Sequence, residues 1–198
     1  MAAILQSLER TIIAGLVLLI AIIVAAGLLT GQFISPDYAW WAFFMRWLHV
    51  LSGVMWIGLL WYFNFVQIPT VPKIEPAEHR AAISKYIAPQ ALFWFRWAAL
   101  ATVVTGLLLA YMNGYLIPAL TLQPDVIAIG IGMWLGLIMA FNVWFIIWPN
   151  QQKALGLVQA PPEEKAKAGR IAMLISRANT LLSIPMLFCM VAQQNAGL

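Results

Sequence analysis

The sequence predicts an all-α integral membrane protein, and two observations carry this prediction. The first is composition, since 63% of the 198 residues are hydrophobic and 9% are charged, whereas soluble domains are about half apolar and a quarter charged. The second is a set of uncharged stretches long enough for a spanning helix, at 11–36, 47–72, 97–124, 126–152 and 178–198. Their apolar runs are continuous rather than alternating, which favours helices over strands.

We predict a single membrane domain over residues 1–198, with five transmembrane helices. Their predicted bounds are about 10–31, 39–67, 91–116, 125–148 and 173–194. The first run is longer than a usual signal-peptide core and no clear cleavage site follows it, so we interpret it as a retained anchor. Helices 2–5 are expected to form a four-helix bundle, with helix 1 packed outside it.

The basic residues predict the orientation of the chain in a bacterial-type inner membrane. Arg10 precedes the first helix, and the connections after helices 2 and 4 carry Lys73, Arg80, Lys85, Lys153, Lys165, Lys167 and Arg170. The two opposite connections and the C-terminal tail contain no Lys or Arg. Because basic loops stay on the cytoplasmic side, we expect a cytoplasmic N-terminus and an external C-terminus.

Composition also excludes several classes of function. The net charge is +4, from 11 basic and 7 acidic residues, which does not indicate a nucleic-acid binder. The single cysteine excludes an internal disulfide and a covalent c-type haem attached through CxxCH. No predicted span carries a carboxylate at depth, so proton pumping lacks its usual relay.

His49 is the sharpest candidate for function, because it is the only histidine in a predicted span. The sequence MRWLHVLSGVMWIG places it on one helical stripe with Arg46, Gly53 and Trp56. A neutral imidazole could bind the iron of a b-type haem, with Arg46 pairing a propionate and Gly53 leaving room for the macrocycle. A second axial ligand would come from a second subunit or a methionine, among Met55, Met112, Met133, Met139, Met186 and Met190.

Two other interpretations of His49 stay open at this point. The imidazole could act on a substrate or a proton. It could also hydrogen-bond a neighbouring helix while Arg46 extends toward the membrane surface.

A second group of polar residues lies toward the predicted cytoplasmic ends of the helices. Its candidate substrate-binding members are Asn64, Arg96, Asn142, Asn150, Arg177, Asn179 and Ser183. If they converge, they form an amide- and hydroxyl-lined pocket with two guanidinium groups, suited to a small planar anion or a quinone head group. The alternative is that they only hydrogen-bond the helices to one another.

Three segments resemble the membrane domain of PuuD-type urate hydroxylases, the urate oxidase N-terminal family. They are MRWLHVLSGVMWIGLLWYFNF at 45–65, FNVWFIIWPNQQK at 141–153 and NTLLSIPMLFCM at 179–190. The first also resembles a helix of the copper-resistance protein CopD and the haem protein HemJ. Family members carry a histidine directly before the asparagine of the third motif, where this chain has Ala178.

The resemblance implies a membrane redox protein associated with haem or a quinone, in which His49 is a ligand or base with Arg46 beside it. In the urate hydroxylases a c-type cytochrome domain carries electrons away. Here the acceptor would be a separate cytochrome c or a quinone. The competing predictions are a non-enzymatic accessory subunit of a respiratory complex, a homo-oligomeric scaffold, and an oligomeric small-molecule carrier.

Overall fold

The computed structural model describes residues 2–193 and residue 195. Within this part of the chain, five helices are long and apolar enough to cross a membrane, which confirms the predicted all-α membrane fold. We name them α1 to α5, and their bounds are Leu8–Thr30, Tyr38–Lys73, Ala77–Met112, Pro124–Ala154 and Pro162–Ala192. Short helices at Ala2–Leu5 and Leu116–Leu120 lie outside these spans. The chain is therefore a multi-pass membrane protein.

Several helices run beyond their predicted ends, because hydropathy marks the lipid-crossing part of a helix and not its last turn. α2 continues to Lys73, α4 continues to Ala154, and α5 begins at Pro162, where a proline is well tolerated in the first turn. α3 instead stops at Met112, before the predicted end near 116. Gly114 adopts a left-handed conformation there, with φ 76°, as is common just after a helix end.

The chain divides into two compact units, one ending at Trp41 and the other beginning at Ala42. In the first unit, α1 is followed by Gly31 in a left-handed conformation, with φ 70°, and the ring of Phe33 lies against Gly27. The second unit contains every predicted site residue. The position of α1 outside the bundle stays a prediction.

The larger of two hydrophobic cores in the described part of the chain joins α2, α3, α4 and α5. Its largest fully buried side chains are Trp56, Leu60, Phe95, Met139 and Val143. The rings of Phe63 and Phe95 pack edge to face across α2 and α3, with centroids 5.7 Å apart. On α4, the absent side chain of Gly132 allows a close approach of α5, since a Cβ there would be 3.1 Å from the Cβ of Cys189.

In the described part of the second unit, three π-helical segments interrupt the helices, and a proline is the second residue after each one. They are Tyr62–Gln67 before Pro69, Ile83–Ile87 before Pro89, and Asn142–Ile147 before Pro149. Proline has no N–H, and its ring crowds the carbonyl one turn earlier. An extra residue in the preceding turn relieves that crowding. The three widened turns lie toward the end of the bundle where the helix ends carry basic residues, among them Lys73, Arg80 and Lys153, and which we call the basic-loop end.

Candidate functional site

His49 faces α3. Its Nδ1 lies 2.9 Å from the carbonyl oxygen of Thr102 and 3.3 Å from Oγ1 of Thr105. Because a carbonyl oxygen can only accept, Nδ1 carries the proton and donates it to Thr102. Nε2 then holds the lone pair, and among the residues that the structure describes it has no hydrogen-bond partner. The backbone thus holds one ring nitrogen of His49 and leaves the other, Nε2, available as an acceptor or a ligand.

The ring of His49 rests against the backbone of Gly106 on α3. A Cβ at that position would lie 2.7 Å from Cε1 of His49 and 3.1 Å from Nδ1. No larger residue could occupy position 106 without displacing the imidazole. Gly106 is therefore a positioning residue that sequence reasoning missed.

Gly53 and Arg46, the stripe neighbours of His49, have different surroundings. An added Cβ at Gly53 would be 3.8 Å from Cγ2 of Thr102, so this side of α2 meets α3. The room expected for a macrocycle at Gly53 stays a prediction. Arg46 is exposed, and its charge acts on Tyr115 in the connection after α3. Burial raises the pKa of the Tyr115 phenol, an effect that the charge of Arg46 partly offsets.

Asn142 and Asn179 join α4 to α5. Nδ2 of Asn142 donates to Oδ1 of Asn179 over 2.8 Å, and Nδ2 of Asn179 donates to the carbonyl oxygen of Met139 over 2.9 Å. Asn179 is fully buried. Both polar atoms of the Asn179 side-chain amide are thus engaged within the protein, as expected if these residues hydrogen-bond the helices to one another.

Two further hydrogen bonds join α2 to α5 on the same face. Nδ2 of Asn64 donates to Oγ of Ser176 over 2.8 Å, and Nε1 of Trp61 donates to Oγ of Ser183 over 3.0 Å. Oδ1 of Asn64 is buried and has no partner among the described residues. Sequence reasoning named Asn64 and Ser183 but missed Trp61, whose position gave no polar signal.

The remaining predicted residues lie apart from this face. The guanidinium carbon of Arg96 sits 3.3 Å from the ring centroid of Trp148 on α4, a stacked cation–π contact. Asn150 donates only to Ile146 of its own helix, over 2.8 Å. Arg177 is exposed. Of the predicted residues, Asn64 and Asn142 therefore contact α5, and Asn179 and Ser183 belong to it. The guanidinium groups of Arg96 and Arg177 lie elsewhere. Substrate binding by this set stays a prediction.

A cavity of about 240 Å³ lies at the basic-loop end, between α2, α3, α4 and α5. Its polar side chains are Gln67, Ser84, Gln151 and Ser176. Phe63, Leu92, Phe95, Ile147 and Met173 supply much of its apolar wall. Of the predicted residues, Asn64 is linked to this cavity through Ser176. The three π-helical segments all contribute residues to the wall of the cavity. The prolines that follow these segments are the sequence signal that could have located the cavity.

The donor groups limit which cofactors the chain could hold. Among the described residues, no group of three His, Cys, Asp or Glu side chains is placed to bind a metal ion. His49 offers one nitrogen ligand. Of the methionines considered as its partner, Met133, Met139 and Met186 are buried in the hydrophobic cores. The identity of a second ligand stays a prediction.

The comparison with known families matches the C-terminal part of the chain. Residues 125–196 match the urate oxidase N-terminal family, which confirms the predicted resemblance over α4 and α5. The second and third motifs lie inside the matched range, and the motif around His49 lies before it. Comparisons with curated proteins and with solved structures find no match. The likeness to CopD and HemJ stays a prediction.

Proposed function

We propose that this chain is a membrane-embedded redox protein of the urate hydroxylase type, with His49 as the axial ligand of a b-type haem. The observation that carries the proposal is the tautomer of His49. Its Nδ1–H is held by the Thr102 carbonyl, 2.9 Å away, so Nε2 presents a lone pair in a fixed orientation. Histidines that bind metals are usually oriented by such a second hydrogen bond.

The residues around His49 fit one face of a haem. His49 supplies a ligand, Gly106 and Thr102 fix its ring, and the exposed guanidinium of Arg46, one helical turn away, is free to pair with a propionate. When bound, the haem supplies one-electron redox chemistry. The cavity at the basic-loop end does not serve this role, since His49 does not line it and 240 Å³ is too small for the macrocycle.

The electron acceptor in this proposal is a separate cytochrome c or a quinone. A substrate that gains oxygen from water releases two electrons and two protons, and the electrons must leave through such a partner. The match to the urate oxidase N-terminal family over residues 125–196 supports this class of chemistry. We place the protein in a bacterial-type inner membrane, with its basic loops in the cytoplasm.

The test is the absorption spectrum of the protein purified in detergent from cells supplied with haem. We expect a Soret band that His49→Ala removes. The matched control is His79→Ala, because His79 is exposed in the first turn of α3 and its replacement should leave the band unchanged. A colourless unaltered protein, or a band that survives His49→Ala, would contradict the proposal.

A second candidate is a non-enzymatic accessory subunit of a respiratory complex, or a scaffold built from copies of this chain. The observation that favours it is the use of buried amides between helices, as in the pair Asn142 and Asn179. In that case the protein is colourless in isolation. It would also co-purify, after mild solubilisation, with a stoichiometric complex or as a defined oligomer.

A further inference from the structure

The cavity at the basic-loop end has a lining that selects for a particular chemistry. Among the described residues that line it, the polar side chains are amides and hydroxyls and none is charged. The guanidinium of Arg96 is stacked on Trp148, and Arg177 is exposed. A buried anion needs a paired positive charge. The lining therefore disfavours an anionic ligand and suits a neutral one.

The polar groups of the lining are not fixed as donors or as acceptors. Oε1 of Gln67 is buried without a partner in the described part of the chain, so no hydrogen bond to that oxygen holds the amide in one orientation. An amide offers either N–H or C=O, and a hydroxyl offers either role as well. Ser176 accepts a hydrogen bond from Asn64, which leaves its own O–H available. This lining can match a ligand that changes between acceptor and donor.

The apolar wall and the size of the cavity further restrict the kind of ligand that it can bind. Phe63 and Phe95 meet edge to face and both line the cavity, which suits packing against a flat ring. The volume of 240 Å³ is below the roughly 300–1,000 Å³ of pockets for drug-sized molecules. It accommodates a single substituted ring. The cavity lies near the ends of the spans, so the tail of a lipid-soluble molecule could stay in the bilayer.

We propose that this cavity binds the head group of a quinone in both its oxidised and its reduced form. A benzoquinone is neutral and presents carbonyl acceptors, and its hydroquinone is neutral and presents O–H donors. Gln67, Gln151 and Ser176 can hydrogen-bond to either form, because rotation of an amide or a hydroxyl group presents a donor or an acceptor. This inference deepens the proposed function, on which it rests for its redox role, by giving the quinone a place about 27 Å from His49 along α2. That distance is too long for direct electron transfer from a haem at His49, so an intermediate electron carrier on a partner chain would link the two sites.

The experiment measures binding of ubiquinone-1, and of the same compound chemically reduced, to the full chain in lipid nanodiscs by titration calorimetry. We expect saturable binding of both forms at one site per chain. Gln67→Met and Gln151→Met should each weaken binding about three- to tenfold, because each removes a hydrogen bond. Gln152→Met is the matched control, since Gln152 is adjacent but does not line the cavity, and it should leave binding unchanged.

A second variant blocks the space. Ser84→Phe places a ring at an exposed part of the wall and should abolish binding while circular dichroism and size-exclusion profiles stay the same. Partition into lipid alone, without saturation, would overturn the inference. Displacement of the quinone by lower concentrations of an anionic heteroaromatic compound would overturn it as well.

The haem spectrum of the same samples separates this inference from the proposed function. A Soret band that depends on His49, without quinone binding, leaves the proposed function standing and rejects the quinone site. Quinone binding in a colourless protein retains the site and rejects the haem at His49.

Discussion

The imidazole of His49 occupies the space that a side chain at Gly106 would fill. A Cβ at Gly106 would lie 2.7 Å from Cε1, closer than carbon atoms approach without a clash. The contact joins α2 to α3 beside the hydrogen bond from Nδ1 to Thr102. Gly106 therefore sets the position of the ring, and the carbonyl of Thr102 sets its tautomer.

Gly106→Ala should displace the ring of His49 and break its bond to Thr102. Overpacking of this kind costs about 1–3 kcal/mol, measured as a loss of unfolding free energy in mixed detergent micelles. If His49 binds haem, the Soret band should also shift or weaken. Gly58→Ala is the control, because the space beside Gly58 is open and alanine is the better helix former. Equal stability of the two variants would show that His49 does not need this position.

Some features of this site can be predicted from hydropathy and polar residues, and others depend on how the helices pack. The uncharged stretches located all five helices, because lipid requires a long apolar segment. The cost of an imidazole in lipid singled out His49. The partner of His49 could not be predicted in the same way, since it depends on how α2 and α3 are rotated about their axes. Hydropathy does not encode that rotation, so Gly106 looked like any glycine in a span.

The side-chain directions of the polar residues could not be predicted from the sequence either. Sequence reasoning grouped Asn179, Arg96 and Arg177 because all lie near one end of the bundle. In the structure Asn179 bonds α4, Arg96 stacks on Trp148 and Arg177 is exposed. Depth in the membrane follows from position along the chain, but the direction of a side chain follows from packing. The cavity could have been located from the prolines that follow each π-helical segment.

Asn179→Ala should destabilise the contact between α4 and α5. It removes hydrogen bonds to Asn142 and Met139, and such bonds in membranes contribute about 0.6 kcal/mol on average. We expect a loss of about 1–2 kcal/mol of unfolding free energy. Asn150→Ala is the matched control, since its amide bonds only Ile146 of its own helix. An equal loss in both variants would mean that the interhelical bonds add nothing.

The junction between α2 and α3 should lie on the opposite side of the membrane from the connection before α4. Lys73, Arg80 and Lys85 flank that junction, whereas residues 113–123 contain no Lys or Arg, and positive charge stays in the cytoplasm. Glu78→Cys places an exposed thiol in the first turn of α3, and Gln123→Cys places an exposed thiol in the connection before α4. In intact cells a membrane-impermeant maleimide should label only Gln123→Cys, with Glu78→Cys reacting after permeabilisation. The buried native Cys189 gives the background. The reverse pattern would invert the topology.

Arg96→Lys should destabilise the protein although the charge is kept. The guanidinium of Arg96 lies flat against Trp148, 3.3 Å from the ring centroid, with Trp144 at 5.8 Å. An ammonium group is not planar and is more strongly hydrated, so it cannot replace that stack. Desolvated cation–π contacts contribute about 2 kcal/mol, and we expect Arg96→Lys to lose at least half of this in unfolding free energy. Lys85→Met is the control, because Lys85 and Tyr86 are both exposed and their 5.3 Å contact should contribute little. If Arg96→Lys is as stable as the unaltered protein, the contact with Trp148 does not hold α3 against α4. The guanidinium of the native Arg96 would then have no structural role that competes with the substrate-binding role predicted from the sequence.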